Sequence, residues 1–450
     1  MFRIVVQSRA AIAIRPRGDG LYEPGPIAIM GCFSSPLTID TAARMTSHSV
    51  TLTAVKYPET FSLTYTERPT GMKQARFQNR IALRPQIDLS DYTCRAVIDW
   101  VDIRFRTVDH TQWRWIKHYI YGAIGEKVYV EKKQLDDDGK YREFRVRIQE
   151  PVTQNLLLAE EAVRVKWGLQ QPVEIIGLEV SVDFTPRKPS DEARALMFGV
   201  LVRSHLPSRN VIDEPLDRPR FAWDDGKDAT AYVLGHNKKH PDRSDALLLD
   251  PGKDRPATID STYYAGARET RSSWRTMIKL LDKQNIATGT REVLPEKKKR
   301  VRIEVTVDEN ELTKMGIRTI KDLAGFRFQR FHGEYFKFVL PTFPDLAGQP
   351  EEKRRLPLIE LRQTRLQRFL NAGVVGLEAW DEAWQRKKEQ ARKKTIKNDM
   401  PLAKTSIIAG NSTTLMDYNE LTRKVIQALR HIGDRMRLKD PSLGAAASVS

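Results

Sequence analysis

Between residues 94 and 184 the hydrophobic positions alternate between a two-residue and a helical rhythm. CRAVIDWVDIRFRT (94–107) is rich in β-branched and aromatic residues and predicts a strand, and HTQWRWIKHYIYGAIG (110–125) has helical spacing. Two extended runs follow, EKVYVEKKQ and YREFRVRIQE, separated by a predicted turn at Asp136-Asp137-Asp138-Gly139. A helix is expected from Thr153 to Trp167, and then QPVEIIGLEVSVDF, the cleanest strand in the chain. Alternation there puts Ile176, Leu178, Val180, Val182 and Phe184 on one face and Gly177, Glu179, Ser181 and Asp183 on the other. The order strand, helix, strand, strand, helix, strand predicts an α+β fold of the split βαβ, ferredoxin-like kind, an antiparallel sheet with helices on one face. Its first and last strands should be neighbours.

Outside that core the pattern is coarser. Residues 1–90 read as short strands and turns, with a basic loop at Thr66 to Arg80. After a helix from Pro189 to His205 comes a polar insertion, 206–258, and strands around Tyr263–Tyr264, Arg275–Asp282 and Arg300–Val307 should extend the sheet. Beyond Phe343 the composition turns helical, with three candidate helices beginning at Leu356, Gly376 and Met416 and a frayed tail at the end. The expected division is 1–90, a β-rich region; 91–345, the central domain; and 346–450, a helical basic region.

The 450 residues suffice for two or three domains with cores of their own. Cys32 and Cys94 are too few for a disulfide framework or a four-thiolate zinc site, which fits a reducing cytoplasm. The first residues, interrupted by Arg9, Arg15 and Arg17, read as no signal peptide, and no run approaches a membrane span. With 75 Lys+Arg against 58 Asp+Glu, the formal charge of +17 favours a polyanionic partner, nucleic acid first.

Three short segments then narrow the reading. Tyr264-Ala265-Gly266-Ala267-Arg268, Leu281-Asp282-Lys283 and Arg302-Ile303-Glu304-Val305 follow one another in the order of the motif strands of plasmid and phage rolling-circle replication initiators. The chain resembles that family over roughly Asp99 to Phe343. It departs from it at Leu281, where the family carries its nucleophilic tyrosine. A His-hydrophobic-His metal motif is absent, so the resemblance is to the carboxylate-ligated branch of these HUH-like endonucleases.

The resemblance implies acidic ligands on matching strands: Asp99, with Asp102 in reserve, Glu179 and Asp183, and Asp282. Strand parity by itself prefers Asp102, and a bulge would be needed to turn Asp99 outward. An all-oxygen site suits Mg²⁺ or Mn²⁺. Tyr264 is the candidate replacement nucleophile, since a tyrosine hydroxyl attacking a DNA phosphate makes a covalent 5′-phosphotyrosyl link. Arg268, Arg275, Lys279, Lys283 and Arg302 are candidates for lining a groove for single-stranded DNA, with Trp274 to stack on a base and Glu304 to orient a basic neighbour or the metal. His236 and His240 have zinc-like spacing but no third ligand nearby.

The expected function is replication initiation at a plasmid or phage origin by metal-dependent nicking of one strand. The alternative is a catalytically silent DNA-binding protein of the same fold. Without a GxxxxGK[ST] motif, strand separation would fall to a host helicase. The expected partners are single-stranded and origin DNA, no membrane is implied, and a homodimer is compatible with the reading.

Overall fold

Strand β1 (Ser47–Thr53) pairs antiparallel with β2 (Thr60–Pro69), and β2 with β3 (Arg80–Pro85). The computed structural model describes residues 46–56, 58–126, 128–131, 141–223, 230–236, 250–267, 272–285, 290–346, 356–397 and 414–437. The turn at 136–139, Arg268 and His240 lie outside the described residues, as does the side chain of Lys283. The chain divides into Met1–Arg44, also outside them, and a compact unit Met45–Ser450 that holds every element described.

The ferredoxin-like core follows. It runs β4 (Tyr92–Thr111), α1 (Trp113–Ile124), β5 (Tyr129–Val130), β6 (Tyr141–Gln149), α2 (Thr153–Trp167) and β7 (Glu174–Pro186). In space the strands lie β7-β4-β6-β5, so first and last are neighbours, as the sequence predicts. Helix α1 ends at Gly125, whose φ of +70° suits a residue without Cβ.

Helix α3 (Asp191–Ser204) begins at Ser190, whose hydroxyl accepts from the Ala193 N–H while Asp191 and Glu192 sit in the first turn. From Arg194 to Ser204 every residue but the partly buried Leu196 is buried, because the helix lies between two sheets, touching β1 and β2 on one side and β7 and later strands on the other. Short strands β8 (His205–Leu206), β9 (Arg220–Ala222) and β10 (Thr230–Tyr232) fall in or next to the expected insertion. Then come β11 (Thr262–Ala265), β12 (Ser272–Lys279), the hairpin β13 (Leu281–Asn285) with β14 (Thr290–Val293), and β15 (Arg300–Asp308). Among the described residues the central sheet has nine strands, β10-β9-β11-β12-β15-β7-β4-β6-β5. The hairpin stands apart as its own two-stranded sheet.

Helices α4 (Glu309–Met315), α5 (Ile320–Gly325) and α6 (Arg330–Tyr335) lead into β16 (Lys337–Pro344), followed by α7 (Leu356–Lys397), β17 (Thr414–Asp417) and α8 (Asn419–Met436). The first two expected C-terminal helices are one run, α7, broken at Gly373. The second sheet, β1-β2-β3-β16-β17 with β8 attached to β16, joins strands from near residue 50 to strands from beyond 337 and 414. Backbone pairing therefore links all three segments of the expected division.

Alternation explains the central sheet's two faces. Val301, Ile303, Val305, Val307, Trp274, Val180 and Val182 are buried in the core, facing the helices. Strand β4 needs a further device, since its buried positions are even at Tyr92, Ala96 and Ile98 but odd at Val101, Ile103 and Phe105. The register against β7 steps from Ile98 opposite Val180 to Trp100 opposite Glu179, leaving Asp99 as the extra residue of a bulge. Along the N-terminal half of β4, α8 covers the edge that β6 does not reach. Lys424 Nζ donates to the Tyr92 carbonyl (3.2 Å) and Arg435 Nη2 to that of Ala96.

Candidate metal centre and polar face

The polar face of the central sheet gathers Arg302, Glu304 and Thr306 from β15, Glu179, Ser181 and Asp183 from β7, and Arg275 from β12. The bulge adds Asp99 to them. The Asp99 Oδ2 accepts from Ser181 Oγ (2.5 Å) and from Arg302 Nη1 (2.5 Å). Glu179 Oε2 accepts from Arg275 Nη2 (2.9 Å) and Thr306 Oγ1 (2.8 Å). Glu304 Oε2 lies 3.3 Å from Ser181 Oγ, and its Oε1 is ion-paired with Arg275 without a hydrogen-bond donor of its own. Asp99, Glu179 and Glu304 can each turn one oxygen to within 4.8 Å of the others. Asp183 is held by both Nε (2.6 Å) and Nη2 (2.8 Å) of Arg302 and by Arg300 Nε (2.9 Å).

Burial grades the three carboxylates. Side-chain exposure is 19 % for Asp99 but 6 % for Glu179 and 4 % for Glu304, so an ion would enter from the Asp99 side. Burial pushes the Glu304 carboxyl up to about 7; Arg275 and Arg302 oppose the shift, while Glu179 and Asp99 reinforce it. For Arg302 burial works to lower the pKa, yet Asp183, Asp99 and Glu304 outweigh it and the group ends above its ordinary value. Arg275 behaves alike, its partners Glu304 and Glu179 joined by Tyr264 and Asp99. Four carboxylates against three guanidiniums leave one formal negative charge at the centre of the face.

The donor set, three carboxylates with oxygen donors, has the chemistry of a Mg²⁺ or Mn²⁺ site. Arg275 must turn away from Glu179 and Glu304 before those oxygens can bind a cation. Arg302 can remain on Asp183.

Of the sequence-predicted ligands, Asp99 and Glu179 come together, and Glu304, expected to orient a neighbour, completes the set. Asp183 faces the same way but is taken up by Arg300 and Arg302. Asp282 does not join: it sits on the separate hairpin, opposite Glu292 and 3.3 Å from Lys279 Nζ. Asp102 is clamped by both ends of Arg147, 2.7 Å each.

Tyr264 is half-exposed on the polar face, opposite Arg275 on one side and Arg220 on the other, with the Arg220 guanidinium 5.5 Å from its ring centroid. Tyr263 points into the core, its hydroxyl buried. Leu281 starts the hairpin, off the central sheet.

Two expected DNA contacts are corrected. Trp274 is 1 % exposed; its Nε1–H donates to the Tyr335 carbonyl and its ring packs on His205, so it cannot stack on a base. Its parity, one residue out of step with Arg275, was the available signal. Arg302 is buried in its ion pairs and offers no free guanidinium. Arg275 is 29 % exposed and Lys279 22 %, both on the polar face. Sequence reasoning did not single out Thr306 or the Arg147–Trp100 stack, in which the guanidinium lies 3.7 Å from the ring centroid.

No family model matches the sequence, and no curated protein does. Among solved structures, the rolling circle replication initiator protein from Geobacillus stearothermophilus matches over 60% of this chain and 96% of that one, at 15% identity and a TM-score of 0.26. Among the described residues no helix is long and apolar enough to cross a membrane.

Proposed function

We propose that the chain is a replication initiator that binds single-stranded and origin DNA on the polar face of its central sheet and nicks one strand there. The observation that carries this reading is the placement of Tyr264 and the Asp99, Glu179 and Glu304 carboxylates on one face, joined through Arg275. Asp99, Glu179 and Glu304 would hold Mg²⁺ or Mn²⁺, which when bound polarises the scissile phosphate. Tyr264 Oη attacks phosphorus and gives up its proton; the bond to the 3′ oxygen breaks, that oxygen takes up one proton and leaves as a 3′-hydroxyl, and the 5′ phosphate stays on the tyrosine. Arg275, once released from Glu179 and Glu304, presents its fork to the phosphate oxygens. Arg302 stays anchored to Asp183 and fixes Asp99.

A second reading, a DNA-binding protein without cleavage, is favoured by the same arginines. They bring the carboxylates close to neutrality with no cation present, and the motif position of the family tyrosine is Leu281, away from the sheet.

The deciding experiment incubates the protein with Mn²⁺ and labelled single-stranded DNA from its own replicon, then runs a denaturing gel. A covalent band that maps to Tyr264, vanishes in Tyr264→Phe and is lost in Asp99→Asn together with Mn²⁺ binding by calorimetry is the expected result. Tight DNA binding with no adduct would establish the silent reading.

A further inference from the structure

Among the described residues, three aromatic side chains are exposed, Trp115 at 54 %, Tyr121 at 50 % and Tyr129 at 64 %, and all lie between Trp113 and Val130. Exposed rings concentrated in one stretch of chain mark a surface that something covers. Helix α1, WRWIKHYIYGAI, has no acidic residue. Its outward face carries Arg114, Trp115, Lys117, His118 and Tyr121 as exposed side chains, within the arc that helical spacing allows. Trp115 has a ring neighbour behind it: His118 sits edge-on between Trp115 (6.2 Å) and Tyr119 (5.8 Å), and Tyr119 in turn packs on Trp167 (5.0 Å). That neighbour reduces the freedom lost when a flat ligand stacks on Trp115.

The third ring connects this helix to the sheet. Tyr129 is on β5, the outermost strand, which α1 touches, and it lies opposite Arg147 of β6. Arg147 lies opposite Asp102, which fixes it over the Trp100 ring. The ring lies over Gly177, where an added Cβ would come within 3.3 Å of it. Trp100 in turn is opposite Glu179 and next to Asp99. Aromatic and cationic groups thus recur on α1, on the β5 edge that α1 touches, and on the sheet face beside the acidic cluster.

We propose that this run is a track for single-stranded DNA, entered at Trp115 and Tyr121, crossing the sheet edge at Tyr129 and passing Arg147 and Trp100 toward Asp99. The proposal rests on the nucleic-acid reading above and adds the path. Alternating rings and cations suit an unpaired strand, whose bases are open to stacking and whose phosphates need counter-charge; a duplex keeps its bases inside. Charge complementarity selects this occupant over an apolar protein surface, because the α1 rings are interleaved with Arg114 and Lys117 and no carboxylate lies on α1.

The test is fluorescence anisotropy of a labelled oligothymidine in EDTA, which separates binding from any metal-dependent cleavage. Trp115→Ala/Tyr121→Ala is expected to weaken binding about 25-fold, at roughly five-fold or more per ring, and Tyr129→Ala about five-fold. Trp115→Phe/Tyr121→Phe, which keeps the rings, is expected to stay near wild type, and this guards against a loss that only reflects misfolding. Wild type that binds while the alanine variants bind equally well overturns the track and leaves the face to a protein partner. Alanine and phenylalanine variants that lose affinity alike also overturn it, since stacking would then not be the cause. Wild type that binds no oligothymidine overturns the nucleic-acid reading itself.

Discussion

Arg302 is the residue on which the polar cluster turns. It reaches both oxygens of Asp183 and one of Asp99 from a position 5 % exposed, and a buried ion pair is costly to break because the partner left behind keeps its charge without compensation. Arg302→Ala is expected to lower unfolding stability by about 3–5 kcal/mol, read from urea melts, and more than Arg275→Ala, whose side chain is 29 % exposed. Alternation alone shows that Arg302, Glu304 and Thr306 share a face. Which carboxylate each cation takes needs the register with β7, because opposite residues are set by pairing between strands more than a hundred residues apart.

At the level of elements, two features of α7 carry predictions. Gly373 adopts φ of +68°, and a Cβ there would lie 2.6 Å from the Cα of Arg203 on α3. Gly373→Ala should therefore cost about 2–4 kcal/mol through backbone strain and displacement of α3, measured as a drop in Tm. Further along, burial raises Glu378 to about 7, with the charges of Glu382 and Asp381 adding to the shift and Lys337 opposing it. The folded state then holds this proton more tightly than the unfolded chain, so its ionisation subtracts stability as pH rises from about 4.5 through about 7. Glu378→Gln is expected to match wild type near pH 4 and to exceed it by about 1–3 kcal/mol at pH 8 in chemical denaturation. A flat difference between the two across that range would refute the assignment. The bulge in β4 belongs to this scale too. Parity placed Asp99 inward, the resemblance placed it outward, and the one extra residue opposite β7 reconciles them.

Over the whole molecule the charge of +17 favours a polyanionic partner, and the proposed binding of DNA should then depend on salt. Affinity for single strands is expected to fall roughly 100-fold or more between about 50 and 200 mM salt if some six phosphates are neutralised, checked by anisotropy titrations across that range. A salt-independent affinity would speak against a phosphate-dominated interface. The ferredoxin-like core was legible in the sequence because its elements are set by local rhythm: two-residue alternation from Tyr141 to Gln149 and from Glu174 to Phe184, helical spacing in α1 and α2. So was the sidedness of β7 and β15, which follows from strand pleating. The second sheet was not, since nothing in residues 80–85 announces pairing with residues 342–344. Nor could the sequence tell that Asp282 leaves with a hairpin, or that Arg275 and Arg302 occupy the carboxylates. Those outcomes depend on long-range register and on the exclusion of water from the centre of the face, and only the packed tertiary structure supplies either.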